Sequence, residues 1–231
     1  FEILGRAGVI TLDRQDALNA LTHGMIRAID EQLEAWRGDA AVERVAIQAA
    51  PGRAFCAGGD IRAVYELGRA GDPSVVDFFR DEYLLNARIK AYPKPYVALI
   101  DGICMGGGAG VSIHGSHRVA TERTVFAMPE CGIGFFPDIG SSYFLSRMPG
   151  FTGLYAALTG ARLSLADCER AGLATHPVAS DTLADTLDRI ADAVDLDAAL
   201  AELTVDPGHS VLAEERERID RHFDGADVGD I

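Results

Sequence analysis

Apolar residues in the first hundred positions follow strand spacing and helix spacing in turn. A short β-branched run at residues 9–12 predicts a strand. An apolar stripe at helical spacing then extends from Met25 to Trp36, and Thr22 stands where an N-cap is expected. The same reasoning predicts a helix at 75–89 between two further strands, at 45–48 and 96–100.

The second half of the chain changes from strand patterns to helix patterns. Short strands are predicted at 118–120 and 124–127, and the strand signals fade from about residue 142. Helices are predicted at 142–146, 153–158, 164–170, 183–203 and 211–223. Strands that alternate with helices favour an α/β fold with right-handed crossovers, in which the functional site lies at the carboxyl ends of the strands.

Composition and charge narrow the function classes. The 231 residues are 48% hydrophobic and 24% charged, and no apolar run reaches the length of about 18 residues that a membrane helix needs, so we expect a soluble globular chain. The net charge is −14, of which residues 1–160 carry −3 and residues 161–231 carry −11. An acidic chain is not expected to bind nucleic acid or an anionic membrane.

Four separated cysteines have no metal-binding spacing, which predicts free thiols in a reducing compartment. His114 and His117 have no acid or cysteine at the spacing of a catalytic triad or a metal site, so we expect them to make structural hydrogen bonds.

Two glycine clusters are the first candidates for chemistry. Residues 54–62 and 105–110 are rich in glycine and alanine. The first cluster is expected directly after the strand at 45–48 and the second after the strand at 96–100, each before a helix. Small residues allow backbone N–H groups to face a ligand, and two such turns together can form an oxyanion hole. For either cluster taken alone, a tight turn is the more common explanation, because glycine is the usual turn residue. Neither has the fingerprint of a dinucleotide site or a P-loop.

Two carboxylates follow in an apolar segment shaped by proline and glycine, at residues 127–140. These are Glu130 and Asp138. Burial would raise their pKa values and suit them to acid or base catalysis near neutral pH. The alternative for either residue is a helix cap.

Together these segments resemble the crotonase (enoyl-CoA hydratase/isomerase) superfamily, over nearly the whole chain. The stretches that carry the resemblance are 55–62, 78–83, 105–108, 126–130 and 134–140. The resemblance implies a crotonase-like α/β spiral of ββα units followed by C-terminal helices. We therefore expect a spiral core with the active site at 1–160 and an acidic helical region at 161–231.

The resemblance also implies roles for individual residues. Gly59 and Gly107 would hold a thioester carbonyl oxygen through their N–H groups, and Glu130 and Asp138 would lie at the reacting carbons. Glu82 matches a position that contacts substrate, although a solvated helix-face carboxylate is the alternative. Further substrate-binding candidates lie in and around the first glycine cluster: Ala57, Gly58, Asp60, Ile61 and Arg53. Arg53 and Arg62 flank this cluster and are expected either to bind CoA phosphates or to be surface charges.

One departure from the family pattern separates two activities. Hydratases that resemble this chain carry a second glutamate where this chain has Gly110, and glycine cannot move a proton. Hydration by the usual pair of glutamates is therefore not expected. The resemblance, which is strongest to the hydrolases of the superfamily, instead implies hydrolysis of a β-hydroxyacyl-CoA thioester, with 3-hydroxyisobutyryl-CoA of valine breakdown as the favoured substrate. Glu130 would attack the carbonyl or activate water, and Asp138 would orient the substrate hydroxyl or the water.

Two alternatives remain: a hydratase or isomerase that uses Glu130 alone, and a non-catalytic acyl-CoA binding subunit. The resemblance implies no metal or redox cofactor, because CoA enters as part of the substrate. It also allows a homotrimer or a monomer. Relatives of the hydrolase type continue beyond residue 231, so we expect the chain to be a fragment. The cytoplasm is the expected compartment, with the mitochondrial matrix left open.

Overall fold

A computed structural model describes residues 1–225, 227 and 229. Its larger sheet has six strands, in which the first strand of the chain is antiparallel to its neighbour and all other neighbouring strands are parallel. In spatial order the strands are β1 (Glu2–Leu4), β2 (Ala7–Leu12), β3 (Arg44–Ala49), β5 (Tyr96–Ile100), β7 (His117–Thr121) and β9 (His176–Val178).

A smaller parallel sheet contains the intervening strands. These are β4 (Ala54–Cys56), β6 (Ile103–Met105) and β8 (Val125–Ala127), in that order. The chain therefore places one strand in the large sheet and the next in the small sheet before it continues. The predicted α/β fold built from ββα units is confirmed.

Eleven α-helices are present in the described part of the chain. They are α1 (His23–Arg37), α2 (Ile61–Ala70), α3 (Ser74–Lys90), α4 (Gly107–Gly110), α5 (Ser141–Phe144), α6 (Thr152–Thr159), α7 (Leu165–Arg170), α8 (Leu183–Asp192), α9 (Leu196–Ala201), α10 (Val211–Glu214) and α11 (Arg216–His222). Among these residues, no helix is both long and apolar enough to cross a membrane.

Helix α1 shows how the sequence specifies its own local structure. The Thr22 hydroxyl accepts a hydrogen bond from the backbone N–H of Met25 at 3.2 Å, which satisfies one of the free donors of the first turn. The buried face of the helix ends in Trp36, whose ring lies 2.7 Å from the position that a β-carbon on Gly8 would occupy. Glycine in β2 is therefore required for this helix to pack against the sheet.

The large sheet is covered on both faces, which explains why β5 is buried along its whole length. Side chains alternate between the two faces. Tyr96, Ala98 and Ile100 belong to the larger core, whereas Val97 and Leu99 pack in a second core beneath α8 and α9.

The predicted boundary at residue 160 stays a prediction. Phe126 and Leu163 lie on opposite sides of it and exchange two backbone hydrogen bonds, of 3.0 and 2.8 Å. The larger core also continues across it, to Ile219 in α11. Residues 226, 228, 230 and 231 of the predicted C-terminal region lie outside the described residues.

Several predicted elements need correction. The helix predicted at 183–203 is two helices, α8 and α9, separated around Asp195, whose carboxylate caps α9 by accepting from the N–H of Ala198 at 3.1 Å. The helix predicted at 211–223 is likewise divided, at Glu215. No strand is predicted from the sequence beyond residue 142, where the strand signals fade, but β9 lies there and adds a sixth strand to the large sheet.

Candidate active site

A cavity of about 350 Å³ lies between the two glycine clusters, helix α3 and the segment that follows β8. The three acidic residues singled out in the sequence, Glu82, Glu130 and Asp138, all line it, as do Gly59 and Gly107. The structure thus brings together residues that are up to 79 positions apart in the sequence.

The glycine clusters are turns at the carboxyl ends of the small sheet. The first follows β4 and the second follows β6, rather than the longer strands 45–48 and 96–100 after which the sequence placed them. Gly58 and Gly106 have φ values of +125° and +48°, which residues with a β-carbon rarely adopt. These two positions therefore require glycine for the turns to form.

The two turns approach each other closely at Gly59 and Gly107. A β-carbon on Gly107 would lie 3.0 Å from the Gly59 nitrogen and 2.5 Å from Glu82 Oε1. In the described part of the structure, neither glycine N–H donates a hydrogen bond to another protein group. Two unused backbone donors next to each other at the cavity wall can bind one oxygen atom that gains negative charge.

Burial changes the acid strength of all three carboxyl groups. Glu82, on α3, is 3% exposed, and burial together with the charges of Asp138 and Glu130 raises its pKa to about 8. Burial, with a contribution from Asp138, raises the pKa of Glu130 to about 7. Burial also raises the pKa of Asp138. Near neutral pH, Glu82 is therefore mostly protonated, while Glu130 is divided between its two forms.

The buried oxygens Glu82 Oε1 and Glu130 Oε2 have no hydrogen-bond partner within the described residues. Because buried polar atoms in proteins nearly always have a partner, these two atoms indicate where a ligand or water binds.

Tyr83 is a site residue that the sequence reasoning missed. Its hydroxyl donates to Asp138 Oδ2 at 2.7 Å, which lowers the pKa of Asp138 against the effect of burial. The available signal was its position directly after Glu82, within one of the segments that carry the family resemblance. Tyr83 therefore holds the Asp138 carboxylate beside the cavity.

The backbone after Asp138 is strained. Ile139 has a φ of +48°, which is unfavourable for a β-branched residue, and its carbonyl accepts a hydrogen bond from the buried His114 ring at 2.7 Å. Burial lowers the pKa of His114 and so favours the neutral ring. The expected structural hydrogen bond of His114 is thus present, and it supports the turn that presents Asp138; His117 instead contacts Asp197 at 2.8 Å.

The remaining candidates from the first glycine cluster divide into two groups. Ala57, Gly58 and Ile61 line the cavity. Asp60 caps α2 by accepting from the N–H of Ala63 at 3.1 Å and forms an ion pair with Arg14 at 2.8 Å, and Arg53 is exposed outside the cavity lining. Substrate binding by all five of these residues stays a prediction.

Gly110 lies under the side chain of Asn86. A β-carbon on Gly110 would be 2.8 Å from Asn86 Nδ2 and 3.2 Å from Ile139 Cβ, so a larger residue requires both neighbours to move. Within the described residues, no group of three or more histidine, cysteine or acidic side chains is arranged to hold a metal ion.

Removing the Tyr83 hydroxyl is expected to alter catalysis through Asp138. In Tyr83→Phe the pKa of Asp138 should rise further, because its stabilising donor is gone, and kcat should fall by about tenfold, the size of a hydrogen bond to a charged group. Steady-state kinetics measure kcat, and carbon NMR of ¹³C-labelled carboxyl groups measures the pKa of Asp138. Tyr65→Phe, which changes an exposed tyrosine on α2, is the control and should keep both wild-type values. A wild-type pKa of Asp138 in Tyr83→Phe would contradict the role assigned to Tyr83.

Comparison with known proteins identifies the family. The sequence profile described as "Enoyl-CoA hydratase/isomerase" matches residues 7–231. The protein named 3-hydroxyisobutyryl-CoA hydrolase, mitochondrial, of Danio rerio is 51% identical over all of this chain and 63% of its own length. The protein of the same name from Homo sapiens is 54% identical over 78% of this chain and 47% of its own length. The chain therefore spans less than two thirds of these relatives.

Solved structures agree on the fold. A carnitinyl-CoA dehydratase from Mycobacterium thermoresistibile superposes with a TM-score of 0.95 at 47% identity, covering 99% of this chain and 67% of the other. An enoyl-CoA hydratase from Rhodobacter sphaeroides superposes with a TM-score of 0.90 at 42% identity, covering 97% and 65%. The predicted crotonase-like fold is confirmed, and the chain belongs to the enoyl-CoA hydratase/isomerase family within the crotonase superfamily.

Proposed function

We propose that this protein hydrolyses a β-hydroxyacyl-CoA thioester and that its substrate is 3-hydroxyisobutyryl-CoA, an intermediate of valine breakdown. The observation that carries the proposal is the convergence of two unused backbone donors with Glu130, whose pKa lies at about 7. The names of the relatives from Danio rerio and Homo sapiens support the choice of substrate.

The oxyanion hole supplies the electrostatic part of the mechanism. The N–H groups of Gly59 and Gly107 donate to the thioester carbonyl oxygen and stabilise the negative charge that forms on it in the transition state. Such donors are fixed before the reaction, so they need no reorganisation when the charge develops.

Glu130 supplies the reacting carboxylate, by one of two routes. In the covalent route, an ionised Glu130 oxygen bonds to the acyl carbon and the C–S bond breaks, which releases CoA as the thiolate; water then cleaves the resulting anhydride. In the general-base route, Glu130 takes a proton from a water that attacks the acyl carbon directly. The C–S bond then breaks, CoA leaves as the thiolate, and Glu130 gives up the proton it took. A rapid quench followed by mass spectrometry of the protein should detect an acyl group on Glu130 by the covalent route and none by the general-base route.

Glu82 and Asp138 fit the second polar group of the substrate. Protonated Glu82 can donate a hydrogen bond, whereas Asp138, held by Tyr83, accepts one. A β-hydroxyl group both donates and accepts, so it can bind between the two carboxyl groups. Asp138 also assists proton transfer to the leaving thiolate.

The cofactor, assembly and compartment follow the same proposal. CoA enters with the substrate and no separate cofactor takes part, and the protein acts as a monomer or a homotrimer. The cytoplasm is the compartment that free cysteines favour. The relatives whose names contain "mitochondrial" support the mitochondrial matrix as the alternative.

The pH profile of kcat/KM should be bell-shaped and narrow. Glu130 must be ionised to react, so kcat/KM should rise as pH increases through about 7, and protonated Glu82 must donate, so kcat/KM should fall above about 8. Because the two groups interact, the limbs report the pair rather than single residues. Initial rates between pH 5 and 10 test this, and a flat profile from 6 to 9 would contradict it.

The second candidate is a hydratase, which the names of the structural relatives favour. Two assays on the same preparation separate the functions: release of free thiol from 3-hydroxyisobutyryl-CoA, and loss of the double bond of crotonyl-CoA. We expect fast thiol release and negligible hydration. Hydration without thiol release would reject the proposed hydrolase.

A further inference from the structure

Unpartnered buried atoms are confined to one place in the described part of the chain. Four side-chain nitrogen and oxygen atoms are fully buried without a hydrogen-bond partner, and they belong to Glu82, Asn86 and Glu130. Two of these residues line the cavity, where substrate can satisfy them. Asn86 does not line it and is 4% exposed, yet both its Nδ2 and its Oδ1 lack a partner.

Asn86 lies directly behind Glu82. The two residues are four positions apart on α3 and therefore share one face of the helix, where side chains at this spacing can interact. Opposite them, α4 presents two glycines. Glu82 Oε1 lies 2.5 Å from the position of a β-carbon on Gly107, and Asn86 Nδ2 lies 2.8 Å from the position of one on Gly110. We call these four residues the α3–α4 seam.

The chemistry of the seam requires a polar partner for Asn86. A buried amide without hydrogen bonds costs free energy that an apolar side chain of the same shape would not cost. The partner is internal, because Asn86 is only 4% exposed and is not among the residues that line the cavity. Glu82 Oε1 and the two polar atoms of the amide together offer the two to four hydrogen bonds that hold a buried water.

We propose that Asn86 is a positioning residue for Glu82, whose carboxyl group it orients toward the cavity through one buried water in the α3–α4 seam. The importance of this contact for turnover rests on the proposed function, but the contact itself does not. The amide donates to the water through Nδ2, and the water donates to Glu82 Oε1.

This contact should affect the ionisation of Glu82. A donor next to a carboxyl group stabilises the ionised form more than the neutral form. The titratable groups that face Glu82 are Glu130 and Asp138 across the cavity, Tyr83 beside it on α3, and Cys56 at the end of β4. Removing the donor while these groups stay in place should therefore raise the pKa of Glu82.

Asn86→Leu, made in this chain, tests the proposal. Leucine has nearly the same shape and no polar atom, so the thermal midpoint should stay the same or rise. We expect the pKa of Glu82, measured by carbon NMR of ¹³C-labelled carboxyl groups, to rise by about one unit. The alkaline limb of the pH profile should move by the same amount, and kcat should fall about tenfold with KM changed less than threefold. Leu85→Met, in the core on the same helix, is the control and should leave the pKa of Glu82 and kcat unchanged.

Two further measurements keep the proposal falsifiable if the leucine variant does not fold. Asn86→Ser retains a hydrogen-bond donor and an acceptor, so the pKa of Glu82 in this variant should lie within half a unit of the wild-type value. A high-resolution crystal structure of the wild type should show a water within 3.2 Å of both Asn86 and Glu82.

The outcomes separate this proposal from the proposed function. The positioning role would be rejected by an unchanged Glu82 pKa in Asn86→Leu, or by a crystal structure with no water between Asn86 and Glu82. If the wild type released no thiol while the Glu82 pKa still shifted in Asn86→Leu, the hydrolase assignment would fail and the positioning role would stand.

Discussion

Replacing Glu130 by glutamine should lower thiol release from 3-hydroxyisobutyryl-CoA by about a thousandfold or more while substrate binding stays within a few-fold of the wild type. Glutamine has the same shape but can neither attack the acyl carbon nor accept a proton from water. Because Glu130 is only 7% exposed and its Oε2 has no partner, the neutral amide should not reduce the stability of the fold. Stopped-flow thiol detection and calorimetric titration measure the two quantities separately.

Glu66→Gln is the matched control for this change, because Glu66 is an exposed carboxylate on α2. It should leave both turnover and binding unaltered. If Glu130→Gln bound the thioester normally and turned it over at the wild-type rate, the catalytic assignment would be wrong. The fold would then serve a different class of function, a non-catalytic acyl-CoA binding subunit.

Gly107→Ala should reduce kcat by about a hundredfold to a thousandfold, the range measured when one oxyanion donor is lost. The added β-carbon would lie 2.5 Å from Glu82 Oε1 and 3.0 Å from the Gly59 nitrogen, so the carboxyl group or the turn must move. Either movement separates the two N–H donors. Steady-state kinetics and a thermal melt on the same sample distinguish this loss from unfolding.

Gly68→Ala provides the control, since no atom lies within 4 Å of a β-carbon at that position of α2. Alanine inside a helix is favoured over glycine by roughly 0.5–1 kcal/mol, so this variant should be slightly more stable and fully active. A Gly107→Ala enzyme with nearly wild-type kcat would show that the two turns do not form the oxyanion hole.

The sequence predicted elements well where a cap and a long apolar pattern coincide. Helix α1 has both, and the helix predicted at 164–170 also carries a capping box: the Ser164 hydroxyl accepts from the N–H of Asp167, whose carboxylate accepts from the N–H of Ser164. Three-residue strands such as β4 and β6 have too few positions to show a period. The glycine turns were therefore recognised but assigned to the wrong strands.

Site residues were predictable where the residue type itself suggests chemistry. Glu130 and Asp138 were found from the apolar segment that carries them, whereas Glu82 was found only through the family resemblance of residues 78–83. The structure brings all three to one cavity. Asn86 gave no such signal, because a polar residue on an amphipathic helix ordinarily faces water. Its burial depends on the small residues of α4 across from it, which local periodicity does not reveal. The division between α8 and α9 was hidden similarly, by apolar spacing that continues across the exposed Val194.

The central claim, that this site cleaves a thioester with water, is tested most directly by the fate of the oxygen atom of that water. The protein is incubated with 3-hydroxyisobutyryl-CoA in ¹⁸O-enriched water, and the masses of the products are determined by mass spectrometry. We predict free CoA and a hydroxy acid that has gained one ¹⁸O in its carboxylate. An intact thioester, with or without ¹⁸O at its β-carbon, would contradict hydrolysis.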